Sequence, residues 1–300
     1  MTELQLTLRA CFPEIEMYLE EPLSRHTSFK IGGPAEVFAL PKNQQELSSL
    51  LAWANGAGIT PKILGSGTNV LASDQGRRGL VICTRNCTVP LERLDDTHIR
   101  CAAGVSMARL ATFAAGEGLS GLEFAHGIPG SVGGGLYMNA GAYGGEMKQV
   151  VCRTRYLDMA GQLHGLEGEA QEFSYRHSAF TGKPWIIAEA EFALTPAEPQ
   201  KIRERMQELM AKRKASQPLD LPSAGSTFKR PVGGYAAALI DQAGLKGLQI
   251  GGAAVSTKHA GFVVNLGGAT QEDVLLLIAE IQRRVLQSSG IALEPEVIRF

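Results

Sequence analysis

Glycine is the feature that most restricts what this chain can become. Eleven of its 35 glycines fall between Gly116 and Gly145. Interior glycine weakens helix and strand alike, so this density predicts irregular backbone passing close to something, in conformations that a Cβ would forbid. Within it, Gly127-Ile128-Pro129-Gly130-Ser131-Val132-Gly133-Gly134-Gly135 is followed by Asn139-Ala140-Gly141-Ala142-Tyr143-Gly144-Gly145. Pro129 presets the backbone, and the glycines are expected to let N–H groups converge on a diphosphate. Ser131 and Asn139 can add side-chain hydrogen bonds. A purely structural loop of this length and glycine content would be unusual inside a compact domain.

A second glycine-rich segment, Gly65-Ser66-Gly67-Thr68-Asn69, follows the short apolar strand expected at 61–64. A Rossmann fingerprint would need a third glycine and an immediate helix. Position 70 is Val, and Leu71 to Gly76 reads as a turn, so that reading fails. An anion-binding nest of successive amides remains open, with Thr68 and Asn69 as side-chain donors. Alone, the segment reads equally well as a plain β-turn. Two phosphate-hugging loops together suit a large charged dinucleotide such as FAD.

With 44% hydrophobic and 20% charged residues, 300 residues can bury about two full cores. The formal net charge of −1 leaves no electrostatic footprint for nucleic acid or an anionic membrane. Met1 to Gln5 lacks the basic and apolar stretches of a secretory signal, and the apolar run Val274 to Ala279 is far too short to cross a bilayer. Five cysteines without a CxxC pair suggest reduced thiols in a cytoplasmic protein, and no ligand set completes a metal site around Cys83 and Cys87. No obligate protein partner is evident.

The first two-thirds reads as mixed strands and helices. Strands are expected at 36–40, 61–64, 79–84, 98–102, 150–158 and 185–194, the later ones closing the same sheet region as the earlier. Helices are expected at 106–115 and from Asn43, capped with Glu46, through Trp53. Pro196-Ala197-Glu198-Pro199 is a natural linker into a charged helix at about 200–214. Beyond it the order is helix (234–243), strand (253–255), strand (262–265), a helix at 272–287 capped by Thr270 and Asp273, and a terminal strand (296–300).

Four separated motifs resemble one family. Gly127 to Glu146, Tyr175-Arg176-His177-Ser178, Ala224-Gly225-Ser226-Thr227-Phe228-Lys229 and Glu294-Pro295-Glu296-Val297 occur as they do in UDP-N-acetylenolpyruvoylglucosamine reductases. The likeness runs from about Leu23 to Phe300. It implies an α+β chain: a vanillyl-alcohol-oxidase-type FAD-binding domain of two subdomains, then a smaller α+β substrate-binding domain. The boundaries expected are 1–198, with subdomains at about 1–90 and 91–198, and 199–300 including the linker helix. The activity implied is NADPH-dependent reduction of UDP-N-acetylglucosamine enolpyruvate to UDP-N-acetylmuramate, in peptidoglycan precursor synthesis. FAD is expected to be non-covalent, because the family shares Arg25-His26-Thr27-Ser28 without a flavin bond. Departures are small: Gly-Ser-Gly-Thr-Asn replaces the commoner Gly-Gly-Gly-Ser-Asn, and Arg230 stands where many members carry Asn. An insertion carrying an extra substrate tyrosine is missing after Tyr175, as in the shorter, second type of the enzyme.

The resemblance also implies roles. Gly65, Ser66, Gly67, Thr68, Asn69, Gly130, Ser131, Gly133, Gly134 and Asn139 are expected to hold FAD. Hydride added to the terminal carbon of the enol ether drives negative charge onto the conjugated carboxylate, and the adjacent carbon then takes a proton. Arg176 matches that carboxylate in a bidentate fork, Ser226 is the proton donor, and Glu296 orients and polarises the enolpyruvyl group. Lys229 and Arg230 are candidates for the UDP diphosphate, and Tyr143 and Tyr175 for the pocket wall. By composition alone these would be a surface arginine, a turn serine and a solvated glutamate. A binding protein without catalysis and a sugar or alcohol oxidase on the same flavin fold are the competing readings; retention of Arg176, Ser226 and Glu296 argues against the first and the C-terminal motifs against the second.

Overall fold

Strand Ile186–Ala193 is apolar on one face and charged on the other, and a sheet forms around it. Ile186, Ala188, Ala190 and Phe192 are buried, and so are Ile187 and Glu189 between them. Glu189 and Glu191 are ion-paired to Arg155 and Arg100 of the neighbouring strands. The computed structural model describes residues 1–300, which divide into two compact units. The first comprises Met1–Leu19, Val37–Ser66 and Gly79–Lys212, and the second Glu20–Glu36, Gly67–Arg78 and Arg213–Phe300.

In the first unit an antiparallel five-stranded sheet runs Leu163–Glu167, Val151–Leu157, Ile186–Ala193, His98–Ala102, Leu91–Arg93. Helix Met107–Gly116, capped by Ser106, buries Met107, Leu110, Ala111, Ala114 and Ala115 in the core beside this sheet. Ile202 and Met206 of helix Pro199–Ser216 join the same core. A separate sheet, ordered Glu16–Pro22, Pro34–Leu40, Arg77–Cys83, Lys62–Leu64, therefore takes the early strands, and the single sheet region expected from sequence is two. Helix Gln44–Gly56 packs Leu47, Leu50, Leu51 and Ala54 with Val37, Ala39, Leu80 and Ile82 of that sheet. Asn43 caps it as expected, but Glu46 returns to the Lys42 amide (2.8 Å) rather than to the cap residue's own.

The second unit is an antiparallel sheet ordered Ser223–Ser226, Phe262–Asn265, Ala253–Val255, Gln249–Ile250, with helix Gln271–Ser289 packed in its core. Val274, Leu277, Ile278, Ile281 and Val285 form the helix's apolar stripe. Each such burial is worth roughly 1.5–3 kcal/mol. Phe29, Ile31 and Leu71 belong to this core, which is why segments from the first third of the sequence fall into the second unit. Strand Ile298–Arg299 pairs in parallel with Val70–Leu71, and Phe300 exchanges backbone hydrogen bonds with Leu71 and Ser73. These memberships differ from a boundary at residue 198: most of the linker helix goes with the first unit because Ile202 and Met206 are buried there.

The capping box Thr270–Asp273 forms as the sequence predicts. The Asp273 carboxylate also accepts from the Gly252 amide, and Asp74 accepts from the Gln271 amide at 2.7 Å. Hydrogen bonds from Thr270 and Gly252 amides hold the Asp273 carboxyl below its ordinary 3.8. A carboxylate depressed in the folded state contributes stability above its unfolded value and loses it as pH falls towards the folded one. Thr270→Ala is expected to cost about 1 kcal/mol in urea unfolding at pH 7. The stability gap between wild type and Asp273→Ala should narrow as the same titration is repeated from pH 4 downwards.

The five cysteines are free thiols. Burial raises Cys83 and Cys101, and pushes Cys87 up to about 12, whereas Cys11 is exposed. Since the thiolate is the reactive form, iodoacetamide at pH 8 should label Cys11 in the folded protein. Peptide mass mapping should find Cys83, Cys87 and Cys101 modified only after unfolding.

Candidate active site

Two glycine loops of the first unit touch. Gly65 follows strand Lys62–Leu64, and a Cβ on it would stand 2.7 Å from Ser131 Oγ. The Gly65 carbonyl accepts from Cys83 Sγ at 3.4 Å, which fixes the turn from below. Ser131 caps a short helix, Val132–Tyr137, accepting from the Gly134 amide at 3.3 Å. Glycine density was expected to exclude helix there. The helix forms because its glycines let it lie against neighbouring chain: a Cβ on Gly133 would meet Ala103 Cβ at 2.9 Å, and one on Gly135 would meet Met107 Sδ at 2.8 Å.

This packing corrects how the loop uses its amides. Those of Val132, Gly133 and Gly135 donate to the carbonyls of Val105, Ala103 and Ser131, and that of Gly134 to Ser131 Oγ. They hold the loop to the protein and are not spare donors for an anion. The Ser66, Gly130 and Ser131 amides are not spent in this way, and Gly130, at φ +135°, has a conformation that favours glycine. Ala103 borders both the loop and a cleft lined by Gln44, Leu47, Thr84, Cys87 and Glu189. A cradle walled by Gly65, Ser131 and Gly130, with amides not committed to backbone carbonyls, fits the diphosphate of a dinucleotide.

Asn139, buried at φ +40°, has a different role from the one its loop position suggested. Both amide hydrogens are taken, by Glu146 Oε2 and the Ser174 carbonyl, each at 3.0 Å, and its Oδ1 accepts from the Lys148 amide at 2.9 Å. It cannot donate to a phosphate; it braces three segments. One is the hairpin Gly141–Ala142 with Gly145–Glu146, whose turn carries exposed Tyr143 at φ +55°. Another is the tight turn closed between Ser174 and His177, which presents Tyr175 and Arg176. Arg176 also sits at φ +55°, its guanidinium 5.1 Å from the Tyr175 ring centre. Left-handed backbone at a non-glycine residue is strained and is often held at functional positions.

In the second unit, Gly67 (φ +65°) lies so close to the His26 carbonyl that a Cβ would collide with it. Asn69 spends its amide on the Glu296 carbonyl (3.2 Å), and its own carbonyl accepts from Ile298. Asn69 therefore helps position the C-terminal segment with one amide hydrogen, and the second is not spent on that bond. Glu296 N–H donates to the Thr227 carbonyl at 2.8 Å, Phe228 bridges Pro295, and Lys229 N–H donates to Glu294. The structure thus brings the segment that follows Ser226 alongside the segment that carries Glu296. Ser226 is exposed after Gly225, whose φ is +76°. Lys229 is ion-paired with Glu294, and Arg230 lies 4.4 Å over the Tyr235 ring. Thr68 is half-buried beside Asn69. The bracing roles of Asn139 and Asn69 were missed in the sequence; a polar side chain inside a glycine run was the only signal.

Residues 35–167 match the FAD binding domain family. With the loop geometry above, that makes the chain an FAD-dependent oxidoreductase with an α+β flavin-binding fold. Residues 217–300 match the C-terminal domain of UDP-N-acetylenolpyruvoylglucosamine reductase. A relative of that name from Caldanaerobacter subterraneus subsp. tengcongensis is 47% identical over 293 residues, covering 97% of this chain and 95% of the relative. One from Listeria monocytogenes is 45% identical, covering 97% of each. The crystal structure of the reductase from Thermus caldophilus matches with a TM-score of 0.78 at 33% identity, over 96% of this chain and 99% of that one. The chain belongs to the UDP-N-acetylenolpyruvoylglucosamine reductase family.

Asn139→Ala should cost about 1–3 kcal/mol in thermal or urea unfolding, because it removes the bonds that a buried side chain makes to Glu146, the Ser174 carbonyl and the Lys148 amide. It should also weaken FAD binding, read from flavin fluorescence, although Asn139 itself has no hydrogen to give the cofactor.

Proposed function

We propose that this protein reduces UDP-N-acetylglucosamine enolpyruvate to UDP-N-acetylmuramate with NADPH, in the cytoplasm, as a step of peptidoglycan precursor synthesis. The observation that carries the reading is the backbone bond from Glu296 to the Thr227 carbonyl (2.8 Å), which sets Glu296 beside the residue that follows Ser226, with the serine exposed. When bound, FAD supplies the hydride chemistry that links NADPH to the substrate's double bond. On this reading the first unit, with Gly65, Ser66, Gly130 and Ser131, holds most of the cofactor, and the second holds the UDP-sugar.

Each residue then has a task set by its chemistry. Arg176 grips the substrate carboxylate and stabilises the charge that develops there, commonly the largest contribution to such a reaction. Ser226 delivers a proton to the carbon next to that carboxylate. A hydroxyl is a weak acid, so its placement within about 2.6–3.2 Å counts for more than its acidity. Glu296, its backbone held by Thr227 and Asn69, orients the enolpyruvyl group. Arg230 is better suited than Lys229 to the UDP diphosphate, because Lys229 is already neutralised by Glu294. Tyr143 and Tyr175, both exposed at turn tips, are suited to closing over bound substrate.

An anaerobic absorbance experiment separates the two half-reactions. The purified yellow protein should bleach with NADPH and regain colour when the enolpyruvyl sugar is added. In Ser226→Ala, bleaching should proceed as in wild type, while recovery slows by on the order of a hundredfold or more. Equal slowing of both halves would assign Ser226 a structural role, and a flavin that NADPH cannot bleach would overturn the reductase reading.

A further inference from the structure

A buried polar atom without a partner lies at the entrance to the glycine loop. His126 Nδ1 is shielded from solvent and makes no hydrogen bond. The orphaned Nε atoms of Arg100 and Arg153, in the same unit, belong to guanidinium groups already held in ion pairs. No such pairing accounts for the imidazole. A polar group left in this state typically costs about 1–3 kcal/mol, and native structures rarely tolerate it without a ligand or ordered water.

The backbone leaves His126 little freedom to find a partner by moving. It closes the turn Glu123–Ala125, in which Phe124 and Ala125 are buried. Upstream, Glu123 is tied to the Gly121 amide (2.9 Å); downstream, the Ile128 amide donates to the Ala125 carbonyl (3.0 Å) and the Met107 amide to Gly130 (3.0 Å). The imidazole is therefore held one residue ahead of Gly127–Gly135, the loop whose Gly130 and Ser131 wall the flavin cradle. A neutral imidazole nitrogen can donate or accept according to tautomer. FAD offers both kinds of counterpart, in its hydroxyls and its carbonyl and phosphate oxygens.

We propose that His126, through Nδ1, is a hydrogen-bonding residue for the bound flavin nucleotide, an addition to the glycine cradle. The proposal rests on the flavoprotein reading, and wild-type FAD binding is its separate control. Three variants of the full-length holoenzyme test it, with FAD release on dilution followed by recovery of flavin fluorescence. Asn places a polar atom where Nδ1 stands; Gln places one further out, near the position of Nε2, and fills more of the imidazole's volume. His126→Ala is expected to weaken FAD binding about tenfold, the equivalent of about 1.4 kcal/mol. His126→Asn should recover most of that loss and His126→Gln little of it. A packing role predicts the reverse order, Gln better than Asn, and that result would overturn the proposal. So would wild-type FAD release from His126→Ala, which would leave the nitrogen to a buried water. A wild-type chain that bound no FAD would bring down the flavoprotein reading itself.

Discussion

The close approach of the backbone at Gly65, Gly133 and Gly135 to neighbouring side chains is the constraint on which the first unit depends. At those three positions a single added methyl would stand under 3 Å from Ser131, Ala103 or Met107. Removing side chains there lets a short helix lie against the segment before helix Met107–Gly116 and lets two loops distant in sequence meet. Everything polar in the neighbourhood is arranged on that contact. Amides that face the protein are consumed by carbonyls, and those of Ser66, Gly130 and Ser131 remain for a ligand.

Asn139 extends the same logic outward. One buried amide joins the end of the glycine loop, a hairpin and the turn that carries Arg176. The geometry of a guanidinium suited to a carboxylate is thereby coupled to the loop suited to a diphosphate, through side-chain bonds rather than through chain continuity. In the second unit Asn69 acts in a comparable way, linking a glycine-rich turn to the segment that bears Glu296. Both asparagines, which look like ligands in sequence, act as struts between segments.

What could be read beforehand divides along a physical line. Strands Ala253–Val255 and Phe262–Asn265 appear at the expected residues, because short apolar runs bounded by glycine and polar residues leave little choice of register. The Thr270–Asp273 cap is local and was equally legible. Asp74, which completes that cap from 197 residues away, was not, since nothing near it in sequence announces the helix it serves. The helix Val132–Tyr137 was missed because propensity argues against glycine, while the decisive term is space. Sheet membership escaped for a similar reason: two sheets and one sheet have the same strand patterns, and only tertiary packing separates them. Ser226, Arg176 and Glu296 were singled out through their motifs, whereas the backbone bond from Glu296 to Thr227, next to Ser226, required coordinates.

The parallel pairing of Ile298–Arg299 with Val70–Leu71 has a consequence for how the chain is made. Asn69 and Glu296 are 227 residues apart, a span that a ribosome needs on the order of ten to forty-five seconds to synthesise. Throughout that interval the early segments of the second unit are outside the ribosome without their partner strand. The first unit gains the last of its own segments, through Lys212, well before that. Its sheets can close while Phe29, Ile31 and Leu71 still lack the helix that buries them. Order of synthesis thus makes the early segments the part of the nascent protein most in need of shielding, until strand Ile298–Arg299 arrives to pair with Val70–Leu71.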